Sequence, residues 1–246
     1  MSDLPVLVLA NPLGTTSAIW DGVVPWLSSR FRLLRFELPG HGGAPAARGP
    51  YSLASLGAGV LGMLNDAGVT SAAYAGASIG GMTGLWLAAN APSRISSLAV
   101  VCTAITPMPS VAAWHDRAAL VRTSGMSGLA DVVVPRWFTP SFVSRFPDRV
   151  SSVLDMLKSC NPDGYAGCSE AIASMDLLPS LSAVRAPTLV ISGAEDQAAP
   201  PSHGARTASA IPGASLRVIR GTSHMAVYET PGPIGAALRA HFTATV

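Results

Sequence analysis

The chain of 246 residues has little charge, little lysine and little cysteine. Charged residues make up 12% of it, the formal net charge is +2, and Lys158 is its only lysine. Without a cluster of basic residues, no nucleic-acid partner is expected. Hydrophobic residues make up 49% of the sequence. This content excludes a disordered chain and is sufficient for the core of one α/β domain.

The three cysteines, Cys102, Cys160 and Cys168, form no Cys-x-x-Cys pair. Their odd number argues against a disulfide framework, and we expect neither disulfides nor a metal site, as is typical of the cytoplasm. Cys102 lies in an apolar strand and is interpreted as core packing. Residues 1–10 lack the features of a signal peptide, and no run of about 18 apolar residues predicts a membrane span.

The strongest motif is Gly-x-Ser-x-Gly, formed by Gly76, Ser78 and Gly80. It follows a short strand of small residues, 72–77, and precedes an apolar stretch typical of a helix. This order predicts a nucleophile elbow, in which the flanking glycines permit a very tight turn. The Ile79 N–H would lie at the helix N-terminus, where an oxyanion is stabilised. Alone, the motif also fits a glycine-rich turn that only needs close packing.

Two later strands supply the partners that a serine nucleophile needs. The buried strand 188–193 is followed by Glu195 and Asp196, and the strand 216–220 is followed by His224. Serine, acid and histidine in this order, each after a strand, predict a catalytic triad. Asp196 is preferred over Glu195 because the Gly-x-x-Asp spacing lets the loop turn inward.

In this triad His224 would remove the proton of Ser78, and Asp196 would orient the imidazole. His41 lies in a glycine-rich turn, and we expect it to pack there. The loop after the first strand offers the N–H of Leu13 as the second oxyanion donor, with Gly14 allowing close approach. An ordinary turn is the alternative for this loop.

Strands alternate with helices along most of the chain, which predicts a mostly parallel, doubly wound α/β sheet. The rhythm stops between residues 107 and 184, where helix-like stretches are divided by Pro135, Pro140, Pro147 and Pro162. We therefore expect a core formed by 1–106 and 185–246 and an all-helical insertion, called here the helical segment. It would form a lid over the carboxyl ends of the strands, the alternative being passive decoration. Its candidate substrate-binding residues are Trp114, Arg117, Arg122, Arg136 and Trp137.

These motifs resemble those of α/β-hydrolases of the 3-oxoadipate enol-lactonase family. The matching stretches are Asn-Pro-Leu-Gly-Thr (11–15), Pro-Gly-His-Gly (39–42), Gly-Ala-Ser-Ile-Gly-Gly-Met (76–82), Arg-Trp-Phe-Thr-Pro (136–140), Gly-Tyr-Ala-Gly-Cys (164–168) and Ser-Gly-Ala-Glu-Asp-Gln-Ala-Ala-Pro-Pro (192–201). Relatives usually begin with a β-hairpin, but only Met1 to Leu4 precede the first strand here. We therefore expect the strand Arg32–Leu38 at an edge of the sheet. The stretch Met225 to Glu229 also departs from the family pattern.

The resemblance implies that the protein opens a small anionic enol-lactone through an acyl-enzyme on Ser78, without a cofactor or metal. The substrate carboxylate would need a cation, which Arg117, Arg122 or Arg136 could supply, with Trp137 packing on the ring. Each arginine is otherwise a solvated helix-face charge. A carboxylesterase, a thioesterase, another lactonase or a non-catalytic binding protein would fit the same fold. The sequence does not predict an oligomeric state.

Overall fold

A six-stranded parallel sheet forms the centre of the protein. The structure, a computed structural model, describes residues 4–246. The strands are β1 (Val6–Ala10), β2 (Arg32–Phe36), β3 (Ala72–Ala77), β4 (Ile95–Val101), β5 (Thr188–Gly193) and β6 (Ser215–Ile219), in the order β2-β1-β3-β4-β5-β6. Every recorded strand pairing is parallel. As expected, β2 lies at one edge, while Met1 to Asp3 lie outside the described residues.

Eleven α-helices connect and cover these strands in the described part of the chain. They are α1 (Val24–Leu27), α2 (Leu53–Asp66), α3 (Ile79–Asn90), α4 (Val111–Ser124), α5 (Ala130–Trp137), α6 (Pro140–Arg145), α7 (Pro147–Ser159), α8 (Pro162–Ala173), α9 (Pro201–Ala210), α10 (Ala226–Glu229) and α11 (Pro231–Thr245). Short 3-10 helices add further connections at Ser17–Trp20, Pro92–Arg94, Ser127–Leu129 and Leu178–Ala183. Among residues 4–246, no helix has the length and apolar character to cross a membrane.

The burial of the strands follows their place in the sheet. All residues of β3 and β5 are buried, and these strands carry unbroken runs of small or apolar residues. Such runs fit strands covered on both faces. In contrast, β6 lies at the other edge and has four exposed residues out of five.

Two neighbouring residues of β4 show that helices cover both faces of the sheet. The Ser97 hydroxyl lies 3.0 Å from His241 Nε2, so this side chain faces α11. The next side chain, Leu98, packs beside Gly84 of α3. Because successive side chains of a strand point to opposite faces, α3 and α11 cover opposite sides of the sheet. The mostly parallel, doubly wound α/β sheet expected from the sequence is confirmed.

Five helices, α4 to α8, lie between β4 and β5, and no strand interrupts them in this described stretch. Pro140, Pro147 and Pro162 each begin a helix, as proline in the first turn allows. Pro135 differs from the expectation, because it lies inside α5 rather than dividing two helices. It stands in the last turn, and the helix ends two residues later. The role of the helical segment as a lid stays a prediction.

Candidate active site

The connection from β3 to α3 is a sharp turn centred on Ser78. Ser78 has φ 51° and ψ −120°, a conformation that residues with a side chain rarely adopt. Such backbone strain costs about 1–3 kcal/mol and is typical of functional sites. A Cβ atom on Gly76 would lie 2.3 Å from the carbonyl oxygen of Gly80, and one on Gly80 would lie 2.5 Å from that of Ala10. Close backbone packing therefore requires both glycines of the motif.

Three buried side chains from three separate loops form a continuous hydrogen-bonded chain. Ser78 Oγ lies 3.1 Å from His224 Nε2, and His224 Nδ1 lies 2.9 Å from Asp196 Oδ2. The other Asp196 oxygen accepts the backbone N–H groups of Ala198 and Ala199, both at 2.8 Å. With Nδ1 donating to the carboxylate, Nε2 is the acceptor for the serine proton. This arrangement is the one required for activating a serine hydroxyl.

The rival acid, Glu195, points elsewhere. Its carboxylate is exposed and accepts the N–H of Gly221 at 3.0 Å. Asp196 is buried and is the residue of the pair that contacts His224. The two adjacent carboxylates therefore have different partners, and only Asp196 can orient the imidazole in this geometry.

Two backbone N–H groups near Ser78 remain available for an oxyanion. Ile79 is the first residue of α3, and Leu13 lies in the loop after β1 and lines the same cavity as Ser78. Among residues 4–246, neither N–H donates a hydrogen bond to another protein group. A buried donor without a protein partner is uncommon unless water or a ligand binds there. The pair thus fits the oxyanion site expected from the sequence.

His41 holds the loop that carries Leu13. Its Nε2 accepts the Gly14 N–H at 3.0 Å, and its Nδ1–H donates to the Pro39 carbonyl at 2.9 Å. Burial lowers the pKa of His41 to about 4, which keeps the ring neutral and Nε2 able to accept. Gly14 itself has φ 77°, and a Cβ there would lie 2.7 Å from Leu157. His41 therefore packs in its turn, as expected, and also fixes the neighbouring oxyanion loop.

A cavity with about 630 Å³ of empty space, including its mouth, opens above Ser78. His224 and Leu13 form its floor together with Ser78, and much of the wall is apolar. The wall residues are Pro12, Met82, Cys102, Ala104, Met108, Trp114, Arg117, Val133, Arg136, Trp137, Tyr165, Ile172, Ala198, Ala199 and Met225. A mostly apolar lining with a few polar groups is typical of a site for a small molecule.

Two arginines of the helical segment, Arg117 and Arg136, reach this cavity. The Arg117 guanidinium lies 4.7 Å from the centre of the Trp114 ring, a cation–π distance. Burial and the nearby Arg117 cation lower the pKa of Arg136. Within the described residues, neither arginine forms a salt bridge. Two neighbouring unpaired cations favour an anionic ligand. Trp137 is buried beside them and lines the same wall.

Arg122 does not reach the cavity, which corrects its selection as a substrate-binding candidate. Both of its terminal nitrogens donate to the Glu170 carboxylate, one of them at 2.9 Å, and its Nε lies 3.5 Å from Asp163. The pairing with Glu170 raises the pKa of Arg122. Its charge is thus neutralised between α4 and α8, and its side chain does not line the cavity.

Several residues of the site were not identified from the sequence. Tyr165 and Met108 line the cavity but belong to stretches without a catalytic motif. Cys102 is buried, as expected, but it also lines the cavity and has φ 49°. Its position directly after β4 was the available signal, because the carboxyl ends of parallel strands meet at one edge. Burial raises the pKa of the Cys102 thiol well above its ordinary value, so the thiol is neutral.

The elbow, the chain of three side chains and the parallel sheet define a hydrolase of the α/β-hydrolase class. Residues 5–142 match the family model described as the alpha/beta hydrolase fold. The sequence is 33% identical to 3-oxoadipate enol-lactonase 2 of Acinetobacter baylyi over 97% of this chain and 89% of that protein. It is 30% identical to 3-oxoadipate enol-lactonase 1 of the same organism over 78% of this chain and 71% of that protein.

A solved structure agrees with these relatives. The enol-lactonase from Burkholderia xenovorans LB400 superposes with a TM-score of 0.96 at 37% identity, covering 98% of this chain and 92% of that one. The chain belongs to the 3-oxoadipate enol-lactonase family of α/β-hydrolases and is a carboxylic ester hydrolase.

Proposed function

We propose that the protein opens a small anionic enol-lactone, similar to 3-oxoadipate enol-lactone, through an acyl-enzyme on Ser78. The observation that carries the proposal is the pair Arg117 and Arg136, which lines the cavity of Ser78 without a carboxylate partner among residues 4–246. A desolvated carboxylate needs such a cation. The names of the relatives support the same substrate class.

The reaction begins when Ser78 Oγ attacks the ring carbonyl and His224 Nε2 takes the hydroxyl proton. The N–H groups of Leu13 and Ile79 then stabilise the negative charge that develops on the carbonyl oxygen. Asp196 keeps the imidazole in the required tautomer and stabilises the imidazolium. Because Asp196 accepts two further N–H groups, it stays fixed while His224 changes charge.

Collapse of the tetrahedral intermediate breaks the ring C–O bond, and His224 returns the proton to the leaving enol oxygen. The enol then tautomerises to a ketone. Both ends of the former ring remain in one molecule, so the whole substrate stays attached to Ser78. Water activated by His224 attacks the acyl-enzyme and releases an open-chain oxo-acid. Trp137 packs on the ring before it opens, and Arg117 and Arg136 hold the carboxylate during both steps.

The test compares kcat/KM for a carboxylate-bearing enol-lactone, a p-nitrophenyl ester and an acyl thioester. We expect the lactone to exceed the others by at least about tenfold, since a charge-assisted contact contributes about 1.5–3 kcal/mol. Rapid acid quench and mass spectrometry of the Ser78 peptide give a second readout. A lactone leaves an adduct with the mass of the entire substrate, whereas an ester loses its alcohol.

A higher kcat/KM for the neutral ester or the thioester would replace the proposal by an esterase or thioesterase activity on the same residues. Failure of Ser78 to react with a fluorophosphonate would instead support a non-catalytic binding protein.

A further inference from the structure

Glu229 is a buried carboxylate that contacts no cation in the described part of the chain. Its side chain belongs to a residue only 7% exposed, and it appears in no salt bridge. Four hydrogen-bond donors surround it instead. They are the N–H and hydroxyl of Thr139, the hydroxyl of Thr222 at 3.3 Å and the N–H of Ser223 at 2.8 Å. A buried charge is tolerated when its oxygens are fully hydrogen-bonded.

The two oxygens of Glu229 bind two different parts of the protein. Oε1 accepts the N–H of Thr139 at 3.1 Å and its hydroxyl, and Thr139 caps α6 in the helical segment. Oε2 accepts from Thr222 and Ser223, which directly precede His224. The carboxylate therefore joins the helical segment to the loop that carries His224.

Further bonds tie the same two stretches together. The Met225 N–H donates to the Trp137 carbonyl at 2.9 Å. Ser223 Oγ lies 3.4 Å from the Arg136 carbonyl oxygen and 3.2 Å from that of Glu195, and its one proton can go to either. The side chains of Arg136 and Trp137 line the cavity. The junction around Glu229 thus sets the distance between the cavity wall and His224.

We propose that Glu229 is a positioning residue that fixes His224 against Ser78 and Arg136 against the substrate carboxylate. The part concerning Arg136 rests on the proposed function, whereas the part concerning His224 does not. The proposal is specific to a carboxylate, because each of the two Glu229 oxygens accepts hydrogen bonds from a different region. A glutamine has one acceptor oxygen, so its NH₂ group would face N–H and O–H donors on one side, whichever way the amide is turned.

The test measures Glu229→Gln, with Glu195→Gln as the matched control. The Glu195 carboxylate also accepts an N–H of the strand-to-His224 connection, that of Gly221, but within residues 4–246 it has no hydrogen bond to the helical segment. Active sites are counted by complete fluorophosphonate titration, so unfolded protein does not affect the result. Per active site, we expect Glu229→Gln to lower kcat for a neutral ester and the rate of Ser78 labelling by about tenfold. Glu195→Gln should stay within about twofold of the wild type.

Kinetics with the anionic lactone test the second part of the proposal, the positioning of Arg136. Glu229→Gln should raise its KM by about threefold or more, and this rise should vanish in an Arg136→Met background, since coupled residues are not additive. Glu229→Asp, which keeps the charge and both acceptors, should recover part of the labelling rate. A merely structural role would lower the thermal midpoint without changing constants per active site.

Constants for Glu229→Gln within about threefold of the wild type on every substrate would overturn the proposal. An unchanged KM for the lactone would overturn its Arg136 part alone. If the wild type does not turn over the lactone, the proposed function fails, while the ester and labelling rates still test the His224 part.

If Glu229→Gln does not fold, Thr139→Val removes one donor of the junction, and Thr139→Ser keeps it. The valine variant should label more slowly than the serine variant, and equal rates would overturn the proposal.

Discussion

The carboxyl edge of the sheet and the cavity face of the helical segment hold their charged groups in opposite ways. At the sheet edge every polar group of the triad has a protein partner, and both oxygens of Asp196 are occupied. In the helical segment, Arg117 and Arg136 face the cavity without an acidic partner among residues 4–246. Occupied groups are fixed in one geometry, which suits a reaction step. Unpaired cations favour an anionic ligand, which would suit recognition.

From this difference we expect that substitutions in the two regions have different kinetic effects. Substitutions at the sheet edge should lower kcat for every substrate, because the reacting atoms are the same. Substitutions in the helical segment should change the preference between substrates, because only some of them carry a charge.

The largest effect is expected for Ser78→Ala. Loss of a nucleophile from such a triad lowers kcat by about 10⁴- to 10⁶-fold. The φ of 51° is already occupied by a residue with a Cβ, so alanine should not change the fold. Turnover of lactone and neutral ester, with a thermal midpoint from circular dichroism, checks both statements. A purified variant that kept about a tenth of the wild-type rate would refute Ser78 as the nucleophile.

Asp196→Asn should have the second-largest effect, a loss of kcat of about 10⁴-fold on every substrate. An asparagine can present its NH₂ to His224 Nδ1 and favour the wrong tautomer. Glu195→Gln is the matched control, because it changes the adjacent acid, whose carboxylate bonds only Gly221 among residues 4–246. Its kcat should remain within about twofold of the wild type. Equal losses in the two variants would reverse the choice of acid.

The sheet edge was predictable from sequence because its requirements are local. Gly76 and Gly80 flank Ser78 within five residues, and Asp196 and His224 each follow a recognisable strand. Short-range steric rules therefore identified the elbow, the strands and the order of the three side chains.

The helical segment was less predictable because its contacts are distant in sequence. Arg117, Arg122 and Arg136 look alike in the chain, and only folding brings Glu170, 48 residues away, to Arg122. Glu229 and Thr139 are 90 residues apart. Pro135 inside α5 likewise depends on where that helix ends. Propensity and spacing do not encode such pairings.

His41 lies between the two regions, and its lowered pKa should make the folded protein less stable at acidic pH. It bonds Gly14 of the oxyanion loop, and its ring lies 6.4 Å from that of Tyr165 in α8. Its pKa is lowered from 6.5 to about 4, so between these values the unfolded chain binds the additional proton. As the pH falls through this window, the group should remove about 3 kcal/mol from the free energy of unfolding.

Urea titrations of the wild type and His41→Gln at pH 7 and pH 4.5 measure this effect. Glutamine can accept the Gly14 N–H without titrating, so the variant should lose less stability on acidification. The other histidines and carboxylates titrate in both proteins and cancel in the difference. The same loss in both proteins would show that His41 is not the responsible group.

The smallest effect is expected for substrate binding, about 1.4 kcal/mol, and it distinguishes the three arginines of the helical segment. Arg117→Met and Arg136→Met should each raise KM for an anionic lactone by about tenfold and leave a neutral ester within about twofold. Arg122→Met is the matched control. It should leave both KM values unchanged but lower stability by about 2 kcal/mol, because Glu170 loses its bidentate partner.

This last comparison decides whether the two regions differ as their contacts indicate. Should all three methionine variants treat charged and neutral substrates alike, the unpaired arginines have no part in recognition. The anionic lactone would then lose its physical support, and a general esterase would replace it. A rise in KM for Arg122→Met alone would place recognition on the paired cation. Ligand binding would then require opening of the Glu170 pair, so KM for the lactone should fall in Glu170→Gln.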